Sequence, residues 1–286
     1  MILVTSANGR TGRGVVGTLA ARGHRVRAFD IDPAVEELAD AKIEAFVGDM
    51  LEPSRCTEAM TGVQAVVHIG PPMHLREAEM GHAVVLAARQ AQVEHFVQFS
   101  VTHPQLEPLL NHQAKLAVER QVLLSRLPFT ILQPMHYMQN VGVARAITTG
   151  RLVQPYDVDT PLAHVDLEDV AEVAALVILD PSHHFATYEL CGSDMISGRQ
   201  IASMISQIAG SPVTVEFRAP RSPTGSELRP LSSLTAEDDY RHDAKVRLFE
   251  HYGRYGITGN PNVLRWLLRR PPTTFADYVR RCVDSP

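Results

Sequence analysis

Residues 4–16 read VTSANGRTGRGVV, and the stretch opens directly out of the apolar run Ile2–Thr5. It is followed by the helical segment VVGTLAARG, where Gly23 supplies a stop, and by an alternating run over Arg25–Phe29 that ends at Asp30. Strand, glycine turn, helix and strand within about 30 residues is the setting that a dinucleotide fingerprint requires. The physics is local. Gly9 lets the backbone approach a pyrophosphate without a Cβ in the way, and Gly12 lets the helix pack close to the strand. The helix start then turns free N–H groups and a positive dipole end toward the phosphates. Ser6, Asn8, Gly9, Arg10, Thr11 and Gly12 are therefore candidate cofactor contacts.

Asp30 closes the second strand about 20 residues on from the turn, where a carboxylate accepts from a ribose 2′-hydroxyl and repels a 2′-phosphate. That favours NAD. Arg10 and Arg13 pull the other way, since either can reach a 2′-phosphate, and they leave NADP open. The next strand, Ile43–Val47, runs into Gly48-Asp49-Met50, and Asp49 and Met50 are placed at the adenine.

Working outward, strands are expected over 63–69, 95–100 and 129–133, with helices over 77–92 and 111–125 between them. Alternating strands and helices imply an α/β fold of Rossmann type, a doubly wound parallel sheet with right-handed crossovers. Ligands of such sheets sit beyond the carboxyl ends of the strands. Ile69, Gly70 and Pro71 join the candidate cofactor set on that ground. Beyond Pro134 the alternation fades. A strongly amphipathic helix is expected over 167–179 with Asp166 as its N-cap, then strands over 188–191 and 213–217 around a helix over 198–209. Residues 218–239 read as a Pro- and Ser-rich mobile loop, with helices near 240–252, 262–269 and from Thr274.

Composition bounds the function. The 286 residues are 45% hydrophobic and 21% charged, ordinary for a globular protein, and a net charge of −5 offers no basic field for nucleic acid. No apolar run reaches the roughly 20 residues a membrane helix needs. The N-terminus lacks the basic and long apolar regions of a signal peptide, and three scattered cysteines (Cys56, Cys191, Cys282) suit a reducing cytoplasm. Thirteen histidines invite a metal reading, but no HExxH or HxH spacing is present, nor a Gly-x-Ser-x-Gly elbow; no metal is expected.

The pieces VTSANGRTGRGVV, FVGDM, HFVQFS, LPFTILQPMHYMQN, HVDLEDVAEVAALVIL, YELCGSDMISGRQIA and WLLRRPPTTFADYV, with the Lys115 helix, resemble the NmrA-like branch of the atypical short-chain dehydrogenases/reductases. The resemblance spans nearly the whole chain. It implies a NAD(P)-binding Rossmann domain over residues 1–135, with 163–182 packing back on it. It also implies a smaller α/β domain, mostly 136–286, that closes over a substrate cleft. Relatives include reductases of small carbonyl, quinone or azo compounds, and redox sensors that bind NAD(P) and regulate a protein partner.

Four departures stand out: Ser6 for the first glycine, Ile31 where NADP-preferring relatives often carry Arg, Gln133 for a frequent Arg, and Asn111 where the tyrosine of Tyr-x-x-x-Lys is expected. An asparagine cannot titrate, so it can only hold an oxyanion by hydrogen bonding. The resemblance gives Lys115 the nicotinamide ribose and Ser100, at the end of the fifth strand, the substrate carbonyl. Thr102 is an alternative hydroxyl. Candidate proton donors are His112, whose imidazole titrates near neutrality, then Tyr137 and His136 beyond Pro134, or water. Tyr137 is equally an aromatic wall. His68 reads as a core or lining residue, Asn140 as structural, and His74, His103 and His164 as a histidine-rich rim.

Three functions fit. The first is a nicotinamide-dependent oxidoreductase acting on a small carbonyl, quinone or aromatic substrate. The second is a non-catalytic NAD(P) sensor with a regulatory protein partner. The third is a non-redox isomerase, cyclase or dehydratase reusing the cleft.

Overall fold

A computed structural model describes residues 1–220 and 233–284 of the chain. In chain order the first elements are β1 (Ile2–Thr5), α1 (Arg10–Ala21), β2 (Val26–Asp30), β3 (Ile43–Val47), α2 (Pro53–Ala59) and β4 (Ala65–Ile69). They continue with α3 (Glu77–Gln90), β5 (His95–Phe99), α4 (Leu110–Leu124), β6 (Phe129–Pro134), β7 (His136–Tyr137), α5 (Val143–Thr149) and β8 (Arg151–Gln154). The rest are β9 (Leu162–Val165), α6 (Leu167–Val177), β10 (Ala186–Leu190), β11 (Met195–Ile196), α7 (Gly198–Ala209), β12 (Thr214–Phe217), α8 (Glu237–Tyr255), α9 (Asn262–Leu268) and α10 (Phe275–Asp284).

The central sheet has seven strands in the order β10-β6-β5-β4-β1-β2-β3. The pairs β1/β2, β2/β3, β1/β4, β4/β5 and β5/β6 are all parallel. This is the doubly wound Rossmann order with one strand added at an edge. The strands read as nearly continuous apolar runs because both faces are covered by helices; every residue of β1, β4 and β5 is buried. Chain order reverses between β1 and β4, and the crevice beyond their carboxyl ends is where such folds bind ligands.

The chain folds as two compact units. One comprises Met1–Glu107, Asn111–Gln133 and Val170–Tyr188; the other comprises Pro108–Leu110, Pro134–Asp169 and Glu189–Pro286. The first holds its core on Leu3, Phe29, Val66, Val84, Phe96, Val118 and Ile131. The second is built on the small sheets β11-β9-β7 and β12-β8 and a core of Met138, Leu152, Ile201, Ile205, Phe275 and Val279.

Most of the expected elements are present with ends shifted by a residue or two. The second unit departs most. β7, β8, β9, β11 and α5 have between two and seven residues each and carry too little periodicity to read. Helix α2 and the 3-10 turn over Pro33–Leu38 were also not anticipated. Of the stretch 218–239 expected to be a mobile loop, residues 221–232 lie outside the described residues, and from Glu237 on it is helix α8. Asp166 does cap α6, accepting from the Glu168 N–H at 3.1 Å.

Candidate active site

The turn after β1 is shaped by Ser6. Its φ of 47° puts an L-residue in the left-handed region that glycine occupies without strain. The turn forms nonetheless: the Gly9 N–H donates to the Ser6 carbonyl at 3.1 Å and the Ala7 N–H to the Phe29 carbonyl at 3.2 Å. Gly9 is the N-cap of α1, and no side chain caps the helix there. A Cβ on Gly12 would lie 2.2 Å from the Ser6 carbonyl oxygen and 2.7 Å from Ala7 Cα, so only glycine fits. An uncapped helix start with no acid in its first turn, next to a Cβ-free cradle, fits a dinucleotide pyrophosphate.

Asp30 is engaged by the backbone of its own loop. Its carboxylate accepts from the Asn8 N–H at 2.8 Å and from the Asp32 N–H at 3.0 Å. Asp32 in turn accepts from the Asn8 amide at 2.7 Å and from the Ala34 N–H at 3.0 Å. Arg13 folds back onto Asn8, donating to its carbonyl at 3.1 Å and to its side-chain oxygen, and lies 3.9 Å from Glu37. Arg10, Ile31 and Arg13 are exposed, Thr11 half-buried. Two carboxylates thus face this loop with Arg13 braced between Asn8 and Glu37. Asp49 shapes its turn, accepting from the Leu51 N–H at 2.8 Å, while Met50 packs against the first unit's core.

Beyond β4 lies a buried polar corner. Thr5 Oγ1 donates to the Ile69 carbonyl at 3.0 Å, accepts from the Ile69 N–H at 2.9 Å and lies 2.9 Å from His68 Nδ1. With the threonine proton spent on Ile69, His68 takes the Nδ1–H tautomer and leaves Nε2 as a lone pair without a partner. Burial, aided by the charge of Lys115, pushes the His68 pKa down to about 3, so the ring is neutral. Lys115 Nζ lies 2.6 Å from Glu77 Oε1 and 3.5 Å from the Gly70 carbonyl. A Cβ on Gly70 would lie 2.9 Å from Glu77 Oε1 and 3.3 Å from Lys115 Nζ, so the strand end passes tightly over the ion pair. Pro71 is half-buried beside it. Ser100 Oγ and Asn111 Oδ1 are buried without a hydrogen-bond partner, as polar groups that await a ligand would be.

Glu77 was missed by sequence reasoning. As the first residue of α3 it reads as an ordinary acid at a helix start. Its burial comes from how residues 70–76 return across the corner, which no local pattern reports.

The structure places three of the expected histidines wholly or partly away from solvent. His112 is fully buried, with Nδ1 2.9 Å from the His103 carbonyl. His136 is half-buried, and burial pushes its pKa down to about 4, which favours the neutral ring. His164, expected on a rim, is fully buried and likewise held down to about 3 by burial and by His136. His136 and His164 belong to an aromatic group in the second unit: the His136 ring stands 5.6 Å from His164 and 5.5 Å from Tyr252, both edge-on. Tyr137 is half-buried and Asn140 exposed. Thr102 donates to the Gln133 carbonyl at 2.8 Å, and Gln133 itself donates to Glu119 at 2.8 Å. Among the described residues no group of three or more His, Cys, Asp or Glu side chains is placed to hold a metal.

The NmrA-like family profile matches residues 1–226. The chain belongs to the NmrA-like family. Among its relatives, a (4-alkanoyl-5-oxo-2,5-dihydrofuran-3-yl)methyl phosphate reductase of Streptomyces griseus is 30% identical over 220 residues, 76% of each chain. An NAD(P)H azoreductase of Xenophilus azovorans is 30% identical over 217 residues, 74% of this chain and 75% of that protein. Among solved folds, an NADPH-dependent quinone oxidoreductase from Escherichia coli in complex with NADPH superposes with a TM-score of 0.79. It covers 98% of this chain and 99% of its own at 24% identity. For this NmrA-like chain the last likeness establishes the fold.

Proposed function

We propose that the protein is a nicotinamide-dependent reductase of a small carbonyl, quinone or other aromatic compound. The observation that carries this reading is Lys115, a buried ammonium held beside Gly70 beyond β4, in the unit that also carries the Ser6–Gly12 cradle. Relatives at 30% identity that are named as reductases support it.

When bound, the reduced nicotinamide supplies hydride. The chain supplies everything else. Backbone N–H groups at the start of α1 hold the pyrophosphate across Gly9 and Gly12. Asp30 takes the adenosine ribose and favours NAD, with Arg10 the exposed cation that would receive a 2′-phosphate. Asp49 and Met50 border the adenine, and Ile69, Gly70 and Pro71 form the wall over the nicotinamide side. Lys115 holds the nicotinamide ribose hydroxyls. Ser100 Oγ and Asn111 Oδ1, each a buried oxygen without a hydrogen-bond partner, orient the substrate.

The absent tyrosine leaves the proton to another group. Lys115, held beside Gly70 at 3.5 Å, is the donor this reading assigns. Its N–H bond breaks as an O–H bond forms on the substrate oxygen, and water returns the proton to the amine. The scattered free cysteines suit work in a reducing cytoplasm.

The test is a calorimetric titration with NADH and NADPH, then a panel of quinone, azo and carbonyl acceptors followed by nucleotide absorbance. Binding with turnover supports the reading; binding without any turnover favours a nucleotide-responsive regulator, the reading that Asn111 supports. No binding of either nucleotide would sink both.

A further inference from the structure

We propose that Glu77 is the positioning residue of the reducing site, holding Lys115 charged and in place through a buried ion pair where relatives with a tyrosine rely on a phenol. The inference rests on the reductase reading above and assigns a role that the Tyr-x-x-x-Lys pattern does not contain.

The geometry is one-sided. Glu77 is 1% exposed and Lys115 9%. Glu77 Oε1 touches Nζ at 2.6 Å, and of the two the lysine is the more exposed, so the glutamate acts through it. Gly70 packs closely on both groups, where a Cβ would lie 2.9 Å from Glu77 Oε1 and 3.3 Å from Lys115 Nζ. Burying an ammonium alone is costly, and it then loses its proton readily; a carboxylate at contact distance reverses both effects. The cost falls on Glu77, whose pKa is raised by burial against the opposing pull of Lys115.

The surrounding charges do not replace it. His68 on β4 is neutral, and His74 lies on the Glu77 side of the pair. Arg76 is taken by Glu79 at 2.7 Å, and on α4 His112 bonds the His103 carbonyl while Glu119 bonds Gln133. Glu77 is thus the carboxylate at contact distance from Lys115 among the described residues.

In the reaction Glu77 exchanges nothing. Lys115 Nζ would give up one proton to the substrate oxygen, its N–H bond breaking as the O–H bond forms, and would take one back from water with the Glu77 carboxylate beside it.

The experiment compares wild type with Glu77→Gln, Glu77→Asp, Lys115→Met and the double variant Glu77→Gln/Lys115→Met. NADPH and NADH affinities, thermal midpoints and the pH profile of kcat/KM are measured. We expect Glu77→Gln to weaken nucleotide binding several-fold and to move the basic limb of the profile, because it leaves the buried Lys115 without its carboxylate. Glu77→Asp keeps the charge and restores the limb. The double variant is more stable than the two single losses sum to, because no lone buried charge remains. Glu77→Gln with wild-type affinity and an unmoved limb overturns the proposal, as does an additive stability cycle. Wild type that binds no nucleotide overturns the function reading itself, and that result comes before any variant is made.

Discussion

The carbonyl oxygen of Ser6 stands 2.2 Å from the place a Cβ on Gly12 would occupy. The two residues lie on either side of the phosphate turn, and the contact involves backbone at one end, so no rotamer change can relieve it. Gly12→Ala must therefore push α1 away from β1. We expect nucleotide affinity to fall by at least about tenfold, equivalent to about 1.4 kcal/mol, with the fold retained. A calorimetric titration that finds unchanged affinity would show the turn to be more pliable than its geometry.

Ser6 itself offers a converse experiment. Its left-handed backbone costs about 1 kcal/mol that glycine would not incur, partly offset by the extra freedom glycine has in the unfolded chain. Ser6→Gly should leave stability within about 1 kcal/mol of wild type and leave nucleotide binding intact or tighter. A loss of binding would mean that the serine hydroxyl contacts the ligand.

Cofactor choice turns on Asp30. Replacing it with Ala removes the acceptor for the Asn8 and Asp32 N–H groups and the charge that repels a 2′-phosphate. The ratio of NADPH to NADH affinity should rise, while affinity for both falls as the loop loosens. An unchanged ratio would remove Asp30 from the specificity argument.

The neutral histidines make stability sensitive to acid. Burial lowers His68 and His164 to about 3 and His95 and His136 to about 4, each from the ordinary 6.5. Below pH 6.5 the unfolded chain binds protons that the folded chain refuses, so stability falls with pH by up to about 1.4 kcal/mol per unit for each such ring. Urea titrations at pH 7, 6 and 5 should show progressively earlier midpoints. Equal midpoints at pH 7 and pH 5 would contradict the burial of these rings as neutral species.

The second unit depends on Asp169. Its side chain is 1% exposed and accepts from Arg270 at 2.8 Å and from the Thr273 N–H and hydroxyl at 2.7 and 3.0 Å. Asp169→Ala strands three donors and should cost about 2–4 kcal/mol, read as a shift of the urea midpoint without change in nucleotide affinity. A midpoint within about 0.5 kcal/mol of wild type would mean that water replaces the carboxylate fully.

Legibility in the sequence followed the range of the interactions involved. The parallel sheet was readable because each of its strands is an apolar run bounded by a turn, and the cradle because a glycine that cannot be anything else leaves a mark at fixed spacing. The HVDLEDVAE segment was recognisable too, and its two aspartates anchor Arg281 and Arg270 in the second unit. What escaped was set by tertiary approach. Glu77 is an unremarkable acid until residues 70–76 fold across it. His112 reads as an available titratable group until burial and the His103 carbonyl, which engages its Nδ1, are seen. The two-residue strands β7 and β11 exist only because β9 lies between them.

The seven-stranded sheet ends on β10, a strand that follows β6 in the chain only after Pro134–Asp169 has gone to the other unit. A chain cut after β6 would therefore lack that edge strand and leave the outward N–H and C=O groups of β6 bare, a margin ready to pair with another chain.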